Sequence, residues 1–230
     1  MRVDGARAIY HSAIPRVPHL NTVHVEADLP ADAVEALAEE LQAGLPQRRV
    51  VVDDEPVGER LTPDLTARGW TAERLMLLGR DGALPPPDTP PLAEEVPYGH
   101  VRGLREQWIR SEPWATDDEL IAQALEADRA LFSGTPTRAF AAFEHGRPVS
   151  YALLLDGGRD GMLEDVYTIP EARGRGLASA VIAAVLHAAR AERHELVFVP
   201  TDADGRARAL YERLGFEPLA IQHRFMRGPA

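Results

Sequence analysis

The chain has 230 residues, enough for one large domain or two small ones. It is 45% hydrophobic and 27% charged, the balance of a globular protein with a real core, and its formal net charge of -11 argues against general nucleic-acid binding. It has no cysteine, which excludes disulfides, a Cys₄-type zinc site and a thiol nucleophile.

No charged start followed by an apolar run opens the first 30 residues, and no window approaches 18 apolar residues. The expectation is a cytoplasmic protein with no membrane span. In chain order, residues 20–26 alternate and are rich in β-branched side chains, which predicts a strand. Residues 31–43 place Val34, Leu37, Ala38 and Leu41 on one helical face, and Gly44 is a natural stop. Residues 49–52 read as a short strand, 58–67 as a helix with Pro63 near its first turns, and 74–78 as a last strand. Six prolines between Asp81 and Pro97 favour extended backbone and predict a stiff linker.

Beyond it, helices are expected at 101–110 and 117–132, the second capped by Thr116 or Asp117 with Glu119 available for a capping box. Strands at 138–144 and 148–155 flank a His145-Gly146-Arg147 turn. A strand at 162–169, a helix from 176 to about 191, a strand at 196–199, a helix near 206–214 stopped by Gly215 and a strand at 222–226 complete the pattern. This predicts residues 1–80 as a βαβαβ lobe, 81–97 as the linker and 98–230 as a second, larger α/β lobe.

The lobes share a pattern. Segments 25–30 and 166–170 both lead through a proline into a helix, and Ala67-Arg68-Gly69-Trp70 parallels Arg213-Leu214-Gly215-Phe216. A degenerate internal repeat and the chance likeness of two αβ units both stay open. The N-terminal copy lacks the Arg-Gly-Arg-Gly turn and so has no phosphate cradle.

That turn is the most telling segment. A helix N-terminus offers unpaired N–H groups and the positive end of a dipole. Gly174 and Gly176 let the backbone bend sharply, Ala178 and Ser179 keep the first helical turn slim, and Arg173 and Arg175 add charge. By its residues alone the turn admits a plain glycine-rich loop, a dinucleotide site or a coenzyme A pyrophosphate site. A dinucleotide fingerprint wants a third glycine where Ser179 stands, and a Walker loop wants a Gly-Lys-Ser/Thr that is missing.

Arg173-x-x-Gly176-x-Ala178, together with Asp204-x-x-Ala207-x-x-Leu210-Tyr211-x-x-Leu214-Gly215-Phe216, resembles the two signatures of the GNAT superfamily of N-acetyltransferases. The resemblance covers roughly residues 97–227. It implies a mixed α/β sheet splayed in the middle with acyl-CoA in the split; with the shared segments above, the lobe ahead of it is expected to be a degenerate half-GNAT-like copy. It implies that backbone groups of Val166, Tyr167 and Thr168 pair with the pantetheine arm. It also implies that the turn from Arg173 through Gly174, Arg175, Gly176, Leu177, Ala178 and Ser179 holds the pyrophosphate. Asp204 stands where the family usually has asparagine, and an ionised carboxylate accepts but does not donate.

Acetyl transfer to an amine needs a base for the ammonium proton, donors for the developing oxyanion and an acid for the leaving thiolate. Tyr211 is the candidate acid and Glu164 the candidate base. Regular alternation puts Glu164 on one face with Val166 and Thr168, opposite Asp165, which replaces it if the register shifts by one. By the family pattern the acceptor site includes Trp108, Glu112 and Trp114, two aromatics and an acid suited to a cationic or aromatic acceptor. His145 and His187 stand isolated, and no metal is expected. The expected function is transfer from acetyl-CoA to a small-molecule amine, a peptide N-terminus or a lysine, with no nucleic-acid or membrane partner. Monomer and homodimer both stay open. The alternatives are a non-catalytic acyl-CoA sensor and a nucleotide-dependent oxidoreductase.

Overall fold

The N-terminal half supplies β1 (Arg2–Val3), β2 (Ala6–Ile9), β3 (Thr22–Val25), α1 (Ala31–Leu41), β4 (Arg48–Val52), α2 (Glu55–Ala67) and β5 (Thr71–Asp81). The C-terminal half supplies β6 (Ala93–Val96), α3 (Arg102–Ser111), α4 (Asp118–Gly134), β7 (Thr137–Glu144), β8 (Arg147–Asp156), β9 (Asp160–Thr168), α5 (Leu177–Ala191), β10 (Leu196–Asp202), α6 (Ala207–Arg213) and β11 (Glu217–Arg227). These elements come from a computed structural model that describes residues 1–88 and 92–228. Among the described residues no helix is long and apolar enough to cross a membrane.

Local chemistry explains most boundaries. Asp54 accepts from Val57 N at 3.0 Å and Pro56 sits in the first turn, so α2 starts three residues before the expected helix. Asp117 caps α4 by accepting from Leu120 N at 2.9 Å. His145 and Gly146 both have positive φ, as a two-residue hairpin turn between β7 and β8 requires. The hairpin of β1 and β2, with Gly5 at φ 74°, escaped the sequence reading because its strands are too short to show a period. Within the segment expected as a linker, Ala93–Val96 forms β6, an edge strand paired, among the described residues, only with β7. Pro90 and Pro91 lie outside the described residues.

All strands join one sheet in the order β1-β2-β3-β4-β11-β5-β10-β9-β8-β7-β6. Each half contains a β-α-β-α-β run whose first two strands are parallel, β3 with β4 and β9 with β10. The final strands are exchanged. β5 lies antiparallel to β10, and β11 lies antiparallel to β4, with β5 and β11 side by side. Both strands outrun their expected lengths because each is held along both edges by neighbours. The loops that lead into them match closely. Gly69 and Gly215 have φ 84° and 82°, and the next residues, Trp70 and Phe216, bond back to Leu65 and Tyr211.

Two large cores lie on one face of the sheet. Val34, Ala38, Leu61, Leu65 and Trp70 pack with Phe225, so β11 completes the N-terminal core. Leu163, Ile182, Val185, Leu186, Tyr211 and Phe216 pack with Met76 and Leu78, so β5 completes the C-terminal one. α2 approaches β11 so closely that a Cβ at Gly58 would lie 2.3 Å from the His223 ring. On the opposite face, α3 covers Tyr151, Leu153 and Tyr167.

Candidate active site

β9 and β10 pair only from Leu196–Asp160 to Phe198–Met162. Beyond that rung the strands part, β9 continuing beside β8 and β10 beside β5. The sheet therefore splits between its seventh and eighth strands, and the split opens toward the start of α5.

At that start, Gly174 and Gly176 have φ 77° and 79°, a region in which a Cβ is strained, and no atom lies within 4 Å of a Cβ placed on either. Among the described residues, the backbone N–H groups of residues 174–179 make no backbone hydrogen bond, and no side chain caps α5. A row of free donors thus faces open space at the positive end of a 15-residue helix. The two arginines have different tasks. Arg175 is turned onto Glu144, with Nη1 2.7 and 2.8 Å from the carboxylate oxygens, and onto the Glu171 carbonyl at 2.7 Å. Arg173 donates from Nε to the Thr168 carbonyl at 3.1 Å, and its other nitrogens have no partner among the described residues.

The wall of the split carries Glu164 and Asp165. Tyr151 opposes Tyr167 and Leu153 opposes Glu164, so two residues of β9 face one of β8 and a bulge sits at Asp165, whose φ is 54°. The expected alternation fails there. Glu164 shares the face of Leu153, and Asp165 turns to the same α3 side, while Val166 packs with the α5 core. The extra residue reverses the alternation, which is why Glu164 and Val166 do not share a face.

Asp165 is engaged. Arg105 Nη1 lies 2.6 Å from its Oδ1, and Arg105 also makes a two-point contact with Asp128, 3.0 Å at each end. Tyr98 donates to Asp128 at 2.7 Å. Burial opposes the charge on Arg105, but the two aspartates outweigh it and hold the guanidinium charged. Burial raises Asp165 above the ordinary carboxylate range, and Arg105 offsets only part of that rise. Glu164 has no hydrogen-bond partner among the described residues. Burial first, and the neighbouring Asp165 second, push its carboxyl from the ordinary 4.5 up to about 8.

Tyr211 lies across the split on α6, 6% exposed, with its ring edge-on to Phe216 at 5.8 Å. Its hydroxyl has no partner among the described residues and keeps contact with solvent. Burial raises its pKa, and Glu164 raises it further, so the two groups sense each other. A free carboxylate and a free phenol thus flank one opening, beside the unbonded N–H groups of residues 174–179.

The model of the acetyltransferase (GNAT) family matches residues 101–216, half of the chain. The chain belongs to that family. Among solved structures, a functionally unknown conserved protein of Staphylococcus epidermidis aligns over 100% of this chain and 94% of its own, at 15% identity and a TM-score of 0.80. A GCN5-related N-acetyltransferase from Kribbella flavida covers 94% of this chain and 84% of its own, at 21% identity and a TM-score of 0.63. A tandem GNAT protein from the clavulanic acid biosynthesis pathway covers 91% and 76%, at 17% identity and a TM-score of 0.60. At such identities the likeness is one of fold. Among curated proteins no match is found.

In this GNAT chain the remaining expected site residues lie apart. Trp108 stacks under Arg105, whose Cζ is 4.6 Å from the ring, and meets Trp114 edge-on at 6.3 Å. Glu112 follows the end of α3, and Trp114 is 41% exposed. Asp204 is exposed, its carboxylate 3.9 Å from Arg74. Among the described residues one trio has metal-ligand spacing, Asp156, Glu192 and His194. Glu192 also pairs with Arg138.

The sequence reading missed Arg105 and Asp128. A signal existed. Arg105 falls on the apolar stripe of Val101, Leu104, Trp108 and Ile109, and Asp128 falls on that of Leu120, Ile121, Ala124 and Ala127. A charge on a core-facing stripe needs a partner, and here each answers the other.

Proposed function

We propose that this GNAT protein moves an acetyl group from acetyl-CoA to a primary amine by direct attack in a ternary complex. The observation that carries the reading is the meeting, at one split, of a free row of N–H groups and an unpaired carboxylate opposite an unpaired phenol. The donors of residues 174–179, with Arg173, fit two linked phosphates. Bound there, acetyl-CoA supplies the activated acyl group.

The chain's residues do the rest. Glu164, unpaired and raised toward neutrality, takes the ammonium proton of the acceptor, directly or through a water. The edge of β9 near Val166, Tyr167 and Thr168 supports both the pantetheine arm and the oxyanion of the addition step. Tyr211 gives a proton or a hydrogen bond to the departing sulfur. Trp108, Glu112 and Trp114 stand farther out, where they guide the acceptor toward the split. Residues 98–230 act as the catalytic part, and residues 1–80 as a non-catalytic degenerate half that contributes β5 and one wall. We take the cytoplasm as its place of action.

Calorimetric titration with acetyl-CoA and NAD, followed by a thiol-release screen of pooled amines, tests this. Micromolar acetyl-CoA binding with amine-dependent thiol release is expected. Binding of NAD in preference to acetyl-CoA would overturn the assignment. Tight binding with no release from any amine would instead favour an acyl-CoA sensor.

A further inference from the structure

The chain is acidic overall, yet one face of its sheet gathers guanidinium groups that lack carboxylate partners. Arg224 of β11 stands opposite Val51 of β4 and Glu73 of β5, and Arg49 of β4 stands opposite Met226. Directly opposed residues share a face, and so do alternate residues of one strand. Val50, Val52 and Phe225 face α1 and α2, so Arg49 and Arg224 face the other way.

The same rule leads back to Glu164. Met162 opposes Phe198, Phe198 opposes Gly79, and alternate positions of β5 from Gly79 reach Glu73, the partner of Arg224. Glu164, two residues past Met162, therefore looks onto the surface that carries Arg224 and Arg49. The segment between β2 and β3 walls this surface. Ile14 and Val17 pack on Ala127 of α4, Arg16 binds Asp117, and the pKa of His19 is lowered first by burial and then by the charges of Arg49, Arg105 and Arg224.

Arg49 is 8% exposed, and its Nε is buried with no partner. Among the described residues neither Arg49 nor Arg224 has a carboxylate oxygen within 4.0 Å. The one side-chain hydrogen bond of Arg224 among them goes from Nε to Gln222 at 2.8 Å. Burial lowers both guanidinium pKa values, and Arg224 further lowers that of Arg49, to about 10. Glu73 supports both from an exposed position, where solvent weakens its effect. Glu164 and Asp53 also act on the half-buried Arg224, but only from a distance. Two neighbouring like charges with no carboxylate in contact are costly, and a planar fork is suited to a carboxylate.

We infer that Arg49 and Arg224 hold a carboxylate carried by the acceptor, so that the amine to be acetylated belongs to a zwitterionic, amino-acid-like molecule with its ammonium at Glu164. This rests on the transferase reading above and names its substrate class. It also gives the N-terminal half a share in specificity, since Arg49 comes from β4 and Arg224 from the exchanged strand.

The test begins with the acetyl-CoA dissociation constant of the intact protein. Thiol release is then measured for matched sets: the twenty amino acids, β-alanine and 4-aminobutyrate, their carboxamides, the corresponding decarboxylated amines, and phosphoethanolamine. At least one free acid should exceed its carboxamide by ten-fold or more in kcat/KM, roughly the worth of one charge-assisted contact. Arg224→Gln and Arg49→Gln should each bring that ratio close to one with the acetyl-CoA constant unchanged. Should Arg49→Gln not fold, the half-buried Arg224 carries the test. Carboxamides, simple amines or phosphoethanolamine acetylated as well as the acids, or a ratio that survives both substitutions, would overturn the carboxylate assignment alone. Failure of the intact protein to bind acetyl-CoA would remove the transferase reading beneath it.

Discussion

Arg105 and Asp165 meet at 2.6 Å beneath the split of the sheet, and that contact decides which of two adjacent carboxylates is free. Asp165 is committed to a cation that Asp128 also holds, whereas Glu164 is left unpaired one residue away. In the proposed reaction these adjacent acids take different roles, set by their surroundings: Asp165 is structural and Glu164 is the base.

The raised pKa of Glu164 predicts a pH limb. Activity through a carboxylate base should rise as pH passes through about 8. Glu164→Gln should remove that limb and lower kcat/KM by roughly 10²–10⁴-fold. The stability consequence has the opposite slope. A carboxyl whose folded pKa is raised favours the folded state fully below the ordinary 4.5, and that contribution is lost as pH climbs through about 8. The melting temperature of Glu164→Gln should therefore fall less than that of the parent between those values. Parallel pH-melting curves for the two proteins would sink this assignment of Glu164.

Asp165→Asn should cost about 3 kcal/mol in urea unfolding, because Arg105 then keeps one carboxylate in a buried site. Asparagine tolerates the left-handed conformation at φ 54°, so the loss reports the ion pair more than the backbone. Removing the neighbouring negative charge should also move the Glu164 limb to lower pH. An unmoved limb would mean that the two groups are not coupled.

Tyr211→Phe should separate chemistry from folding. The hydroxyl has no hydrogen bond to lose, and the edge-on contact with Phe216 survives the substitution. Stability should change by less than about 0.5 kcal/mol, acetyl-CoA affinity should hold, and kcat should fall at least ten-fold. An unchanged kcat would leave Tyr211 as core alone.

Ser179→Glu should split two effects of opposite sign. Ser179 is the third residue of α5, where an acid complements the helix dipole by about 0.3–1 kcal/mol. The melting temperature should rise slightly while acetyl-CoA binding weakens ten-fold or more through repulsion of the pyrophosphate. Unaltered binding in calorimetry would place the phosphates elsewhere.

The exchanged strands predict one cooperative unit. Trp70 belongs to the N-terminal core, and that core is closed by Phe225 from the far end of the chain. In a protein lacking Trp108 and Trp114, Trp70 fluorescence and far-UV circular dichroism should trace the same urea transition. Two separated transitions would show that the halves unfold independently.

Much of this molecule is written locally. The helices, the β7–β8 turn, the Arg-Gly-Arg-Gly segment and the matching Gly69 and Gly215 stops follow from periodicity and backbone chemistry within a few residues of each position. The family followed from two such segments at fixed spacing. Pairing over long distances is different in kind. The patterns of β5 and β11 suit either half equally, so nothing in them says that each lies in the other's place; only the assembled sheet decides that. The bulge at Asp165 likewise depends on β8, and it turns a predicted alternation around. Arg49, Glu164 and Arg224 share one surface because strands from opposite ends of the chain become neighbours. Sequence by itself determined the helices, the longer strands and the Arg-Gly-Arg-Gly turn, since hydrogen bonding and apolar spacing there are short-range. The tertiary structure determined which charges are paired and which are left facing the split, since that depends on contacts between residues far apart in the chain.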